Sequence, residues 1–420
     1  MAELLQIEEP TRAKLLPPQW QAFLERGFRP LYLAGCFWAA VSVVLWVFAP
    51  QCLTGVLPSV AWHAHEMLWG FIATIAVGFL LTAGSNWTGI NPLKGWPLGL
   101  LSLLWVLARL GYLLPGTGPF WFAATCEMLF FAWAAVALGR AIYGARSQRN
   151  YGVPVLVLAL GSADALYLWA AWQGDFVLVM QRFNTGLLCM AVITLLVARR
   201  VIPFFAMRAV PGLSIPMHTH SGHWQLASGG LAIVAGLLGW MPAVAWLLAA
   251  VGAIAWVQLL AWKPWTVWRV PLLWILYLGY AGLGAGLLVA AAHEGGWAQA
   301  WGLRIAWPAH VIGMAGFSVL IIGMVTRTAL GHLGHPLRTD HSMVAAYLLV
   351  IAAAALRLLA LLPTSLALSA LHASAGAWVL AFTLYLWRFF PMLIRPRIDQ
   401  AAGAVSLRAT GQSRQTNPQQ

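Results

Sequence analysis

The feature that most constrains this chain is its rhythm of apolar runs. Twelve stretches of about 20 residues, nearly free of charge, follow one another with short polar connections, and about 20 apolar residues are what a helix needs to cross a bilayer. They lie near 30–50, 60–83, 96–114, 119–143, 151–172, 182–203, 224–241, 244–262, 270–292, 303–326, 342–361 and 367–389. In lipid every backbone group must be satisfied inside its own segment, so runs of this length become helices. The chain therefore reads as an all-α polytopic membrane protein of twelve transmembrane helices. Composition agrees: 8% of residues are charged, against about 25% in soluble domains, too few to cover a surface facing water.

Around the twelve-helix region, 30–390, lie two polar segments. Residues 1–29 carry Pro10, Pro17 and Pro18 and read as a cytoplasmic or interfacial arm, with no cleavable signal peptide. Residues 391–420, rich in Gln, Ser and Arg, read as a disordered tail. The formal charge of +13 does not point to nucleic acid, which would need a basic patch or a binding fold. The cations sit instead in alternate connections, among them Arg140, Arg146, Arg149, Arg199, Arg208, Lys263 and Arg338. That asymmetry places both termini in the cytoplasm. Cys36, Cys52, Cys126 and Cys189 are scattered, with no metal-binding spacing. They read as apolar packing residues, Cys52 being the most exposed.

Against this background the ionisable residues inside the apolar runs stand out, because such groups are costly in hydrocarbon and mark functional sites by default. Trp62-His63-Ala64-His65-Glu66-Met67 opens the second span. On a regular helix His63 and His65 point about 200° apart, so they serve different partners. The same spacing puts Glu66, with Met67, on the face of His63, and Trp69 on that of His65. His310, with Gly313, Met314 and Gly316 after it, and His372, with Gly376, fall in the same outer zone. So do Arg109, Arg357, Glu66, Glu127 and Asp164. A lone intramembrane histidine is ordinarily a hydrogen-bonded packing residue. Four in one zone, among arginines and acids, weigh toward metal ligation.

Small residues beside a buried histidine let a flat macrocycle approach, and axial ligation of haem iron is the chemistry this would serve. Arg109 and other outer arginines would pair with propionates. Without CxxCH any haem is b-type. On the cytoplasmic side His332 is the best ligand candidate, with Arg200 and Arg327 as anion partners. His335 and the tract His218-Thr219-His220-Ser221-Gly222-His223 are weaker. Glu66, Glu127 and Asp164 are proton carriers or counter-ions to Arg109 and Arg357. P-loop, dinucleotide, nucleophile-elbow and HExxH motifs are missing from the sequence.

These residues resemble the NnrS family, membrane proteins with haem and copper of the bacterial response to nitric oxide. Gly27-Phe28-Arg29-Pro30-Leu31-Tyr32-Leu33 looks like its opening. Trp62 to Met67, Gly78-Phe79-Leu80-Leu81-Thr82-Ala83 and Asn86-Trp87-Thr88-Gly89 look like its most specific signature. Arg199-Arg200-Val201-Ile202-Pro203-Phe204-Phe205, Gly323-Met324-Val325-Thr326-Arg327, Leu330-Gly331-His332 and His372-Ala373 resemble later blocks. Three positions depart from the pattern: Leu333 and His335 stand where a threonine and an arginine are usual, and Ala206 where a threonine is common.

The resemblance implies bound haem b and copper, nitric oxide as ligand, protection against nitrosative stress in settings such as denitrification, and a place in the bacterial inner membrane. The metal candidates are His63, His65, His310, His332 and His372; Arg109, Arg200 and Arg327 are the propionate candidates. It leaves open a nitric oxide-metabolising oxidoreductase, which would need electrons from a quinol or another donor. The rivals are a copper or small-anion transporter and a non-catalytic haem sensor.

Overall fold

The computed structural model describes residues 17–57 and 59–398. Eleven of its helices are long and apolar enough to cross a membrane. In chain order they are α1 (Phe28–Phe48), α2 (Ser59–Thr88), α3 (Trp96–Leu113), α4 (Thr117–Gly144), α5 (Gln148–Trp172) and α6 (Phe176–Ala209). After α7 (Thr219–Leu237) come α8 (Met241–Ala261), α9 (Pro271–Glu294), α10 (Trp307–His332), α11 (His341–Leu359) and α12 (Ala367–Leu393). The remaining long helix, α7, falls outside that set. Its first turns, Thr-His-Ser-Gly-His-Trp-Gln, are polar. The twelve apolar runs thus become twelve helices, eleven of which meet the criterion for a span.

Apart from α2 and α3, neighbours in sequence pack side by side, and α12 returns against α1 to close the ring. Inside it stands α2, 83% buried in its most apolar window. It touches α1, α4, α6 and α10. Outward faces are apolar: on α3, Leu100, Leu103, Val106 and Leu110 are all exposed, a stripe at helical spacing that suits lipid. Exposed tryptophans such as Trp96, Trp240, Trp268 and Trp387 lie at or near helix ends, where indoles anchor to the interface.

Two features of the core could not be read as periodicity. α2 is π-helical over Glu66–Ala73, and α10 over Val311–Ser318, each just after a histidine, His65 and His310. A π-turn takes in one extra residue and re-aims the side chains around it. The two π segments touch each other. α10 can approach α9 because Gly279, Gly282 and Gly286 present bare backbone to it. A Cβ at Gly279 would lie 2.6 Å from Leu320 N, and one at Gly286 2.8 Å from Ile312 N. Close helix contact across small residues is the usual packing mode in membranes.

At the end where α1 begins, the chain is tied to the ends of α3 and α12. Leu24 O accepts from Gly95 N (2.7 Å), and Arg29 Nη1 donates to Leu393 O (3.1 Å). α12 continues to Leu393, beyond the boundary read from sequence, and Ile398 N donates to Leu333 O (3.3 Å). The rest of the tail, from 399, lies outside the described residues, as do residues 1–16 of the N-terminal arm.

Candidate metal centres and the buried charge cluster

Four helices converge on His65. α2 brings His65 and Glu66, α3 Arg109, α4 Glu127 and α5 Asp164, all 2% exposed or less. His65 Nδ1 lies 2.9 Å from Glu66 Oε1. Its Nε2 lies 3.0 Å from Asp164 Oδ1 and 3.3 Å from Glu127 Oε2. Arg109 donates from Nη1 to Glu66 Oε2 (2.9 Å) and from Nη2 to Glu127 Oε1. Trp38 Nε1 also donates to Glu66 Oε2 (2.5 Å). Both nitrogens of His65 face carboxylates, so the ring carries two protons, one nitrogen accepts from a protonated carboxyl, or one nitrogen is reserved for a cation. The rings of Tyr112 and Tyr167 close over it at 4.8 and 5.7 Å.

The π-turn revises the helical-wheel expectation. A regular α2 would put Glu66 on the face of His63; instead Glu66 turns to His65 and Arg109. Gly70 makes room for that pairing, since a Cβ there would lie 2.5 Å from Arg109 Nη1 and 2.6 Å from Glu66 Oε2. Glu66 and Glu127 are thus ion-paired with Arg109, and Asp164 with His65. Among the described residues Arg357 has no acid beside it, and it lines a different cavity.

That second place holds His63. As the 200° spacing foretold, it points away from His65, into a cavity of about 300 Å³ lined also by His310, Met67, Met314, Asn184 and Arg357. His63 stacks on Trp46 with ring centroids 3.9 Å apart, and its Nδ1 is buried without a hydrogen-bond partner. His310 Nδ1 donates to Ala306 O (2.8 Å), which leaves Nε2 with its lone pair free. His372 does not join them. It is exposed and stacks on Phe48 (5.6 Å), while Leu371, Ser374 and Ala375 are what α12 turns to the cavity.

At the opposite, basic end a cavity of about 1020 Å³ is lined by Arg149, Arg200, Arg208, Arg327, Asn150 and His332, among others, and by no carboxylate. Arg200 donates to Asn150 Oδ1 (2.7 Å) and Arg149 O (3.1 Å), and Arg327 lies over the Phe205 ring at 3.8 Å. The Nε atoms of Arg200 and Arg327 are buried without partners. His332 Nδ1 lies 3.2 Å from Arg26 Nη1 and so accepts from it. His220 and His223 are exposed, and the tract they belong to gathers no shared cavity among the described residues.

Sequence reasoning missed Trp38, Tyr112, Tyr167, Arg149 and Asn150. Only Tyr112 carried a signal, three residues beyond Arg109 on one helix face.

A bundle of apolar helices with ionisable groups buried across four of them, and histidines in two cavities, defines a polytopic membrane protein built around intramembrane polar centres. The chain belongs to the family described as NnrS protein, whose model matches residues 22–397. No curated protein matches it.

Proposed function

We propose that this chain is a haem b- and copper-binding protein of the bacterial inner membrane that binds nitric oxide and protects the cell from nitrosative stress. Membership of the NnrS family supports the nitric oxide role. The observation that carries the metal reading is the cavity shared by His63, His310, Met67 and Met314. Two imidazoles with free nitrogens and two thioethers are the donor set that copper(I) selects. The cavity's size leaves room beside the metal for a diatomic ligand. Copper(I) supplies a soft, electron-rich centre for nitric oxide there.

The basic cavity fits haem. It reaches the upper end of cofactor pockets, about 300–1,000 Å³, and its arginines lack acidic partners along the lining. Arg200 and Arg327 would bind propionates, and His332 is the ligand at hand. Its Nδ1 is engaged by Arg26, so ligation requires that contact to give way or Nε2 to lose its proton. Haem iron supplies the redox-active ligand site. Arg109 and His65 hold each other's acids and are not assigned to either cofactor.

The test is an optical spectrum of detergent-purified protein, oxidised and reduced, with and without nitric oxide, alongside copper analysis. We expect b-type bands that shift with nitric oxide, and about one copper per chain that is lost in His63→Ala and His310→Ala. A featureless visible spectrum from haem-replete cells overturns the haem assignment. Copper unaffected by both substitutions overturns the copper assignment.

A further inference from the structure

Beyond that reading, we propose that His65, Glu127 and Asp164 form a second metal site, for a divalent first-row ion of the zinc, manganese or ferrous class. One ligand atom from each lies within 4.8 Å of the others, and all three side chains are buried. Ligand bonds of about 2.0–2.2 Å to such an ion need only a small side-chain adjustment from there.

Three independent observations point to a cation. The first is an unspent ligand atom: Asp164 Oδ2 is buried without a hydrogen-bond partner, and Glu127 Oε2 has only the long 3.3 Å approach of His65 Nε2. Leaving carboxylate oxygens dry and unpaired is costly unless something positive fills the space. The second is orientation. Glu66 Oε1 sits 2.9 Å from His65 Nδ1, the carboxylate–histidine arrangement that fixes a ligand's tautomer and turns Nε2 toward a metal. The third is charge. Glu66, Glu127 and Asp164 contribute three negative charges, and Arg109 returns one. With neutral His65 the remainder is −2, which one divalent ion cancels.

The donor chemistry narrows the ion. One imidazole among carboxylate and phenol oxygens, with no sulfur, suits borderline to hard divalent ions rather than copper(I). The site also shares no ligand with the cavity of His63 and His310. The competing occupant is a pair of protons, one on His65 and one on a carboxylate, which would cancel the same charge.

Elemental analysis of the full-length protein, purified in detergent and dialysed against a weak chelator, separates the two. We expect close to one equivalent of zinc, manganese or non-haem iron per chain, falling at least fivefold in both Asp164→Asn and Glu127→Gln with copper unchanged. If those variants fail to accumulate, X-ray absorption of the wild-type protein at the edge of that metal decides. A shell of oxygens with a single imidazole supports the site; sulfur or several imidazoles overturns it. Wild-type protein with no such ion, or variants that keep it in full, overturns the proposal in favour of protons. Because His63→Ala and His310→Ala remove copper and not this ion, each assignment can fail without the other.

Discussion

At the scale of single residues the fold depends most on Arg109. Its guanidinium is 2% exposed and bonded to two buried carboxylates. Removing one partner of a buried ion pair leaves an uncompensated charge and costs about 3–5 kcal/mol. Arg109→Met should therefore lower the thermal midpoint in detergent sharply or abolish accumulation. Arg109→Lys, which keeps the charge but loses the two-pronged donor, should fall between it and wild type. Equal stability of Arg109→Met and wild type would mean that the network contributes nothing. Gly70→Ala attacks the same pairing by volume. Its Cβ would meet Arg109 Nη1 and Glu66 Oε2, and a forced shift in a packed core costs about 1–3 kcal/mol. The loss should shrink in an Arg109→Met background, because Glu66 Oε2, released from Arg109, is then free to move away from the new Cβ.

At the scale of elements, π-turns decide which residues meet. Polar residues in an apolar run are legible in sequence because their cost is local, and so His65, Glu66, Arg109, Glu127 and Asp164 stood out. Their partnerships were not legible, since they depend on how four helices rotate about their axes. The spacing of His63 and His65 did part them correctly, because both precede the π segment. Glu66 went to the wrong face, because it lies inside it. His372 looked equivalent to His310, but the rotation of α12 is set by its packing on α1 and α11, which no single-helix pattern encodes. The π-turn itself is testable. Deleting Ala73 removes the extra residue and lets α2 return to a regular ladder, with its flanks nearly in place. Residues inside the segment would turn by part of one residue's roughly 100°, enough to unseat Gly70 from beneath the Glu66–Arg109 pair and loosen it. We expect membrane-inserted protein with a stability loss like that of Arg109→Met, and little further loss when the two changes are combined. A full additive loss would show that the π-turn and the ion pair are unrelated.

For the whole molecule the open quantity is the number of crossings. Eleven helices meet the length and apolarity expected of a span, and α7 does not, because its first turns are polar. Those turns nevertheless find partners inside the bundle. Gln258 Nε2 donates to Ser221 Oγ (3.1 Å), Gln225 Nε2 to Val251 O (3.3 Å), and Tyr280 to Gln258 Oε1 (2.5 Å). A polar stretch satisfied by neighbouring helices is tolerated at membrane depth. We propose that α7 is a twelfth crossing; an even number would return the C-terminus to the side of the N-terminus, the cation-rich side. The protein carries its own reporter for this. Cys52, in the connection between α1 and α2, is exposed, while Cys36, Cys126 and Cys189 are buried. A membrane-impermeant maleimide should label Cys52 in intact spheroplasts, and Cys52→Ser should abolish that signal. A C-terminal tag should be reached by protease only after lysis. Labelling of Cys52 that needs lysis would invert the whole molecule and move the His63 cavity to the cytoplasmic side. Cys52 and the tag both reached from outside would instead leave the orientation of α1 intact and take α7 out of the membrane.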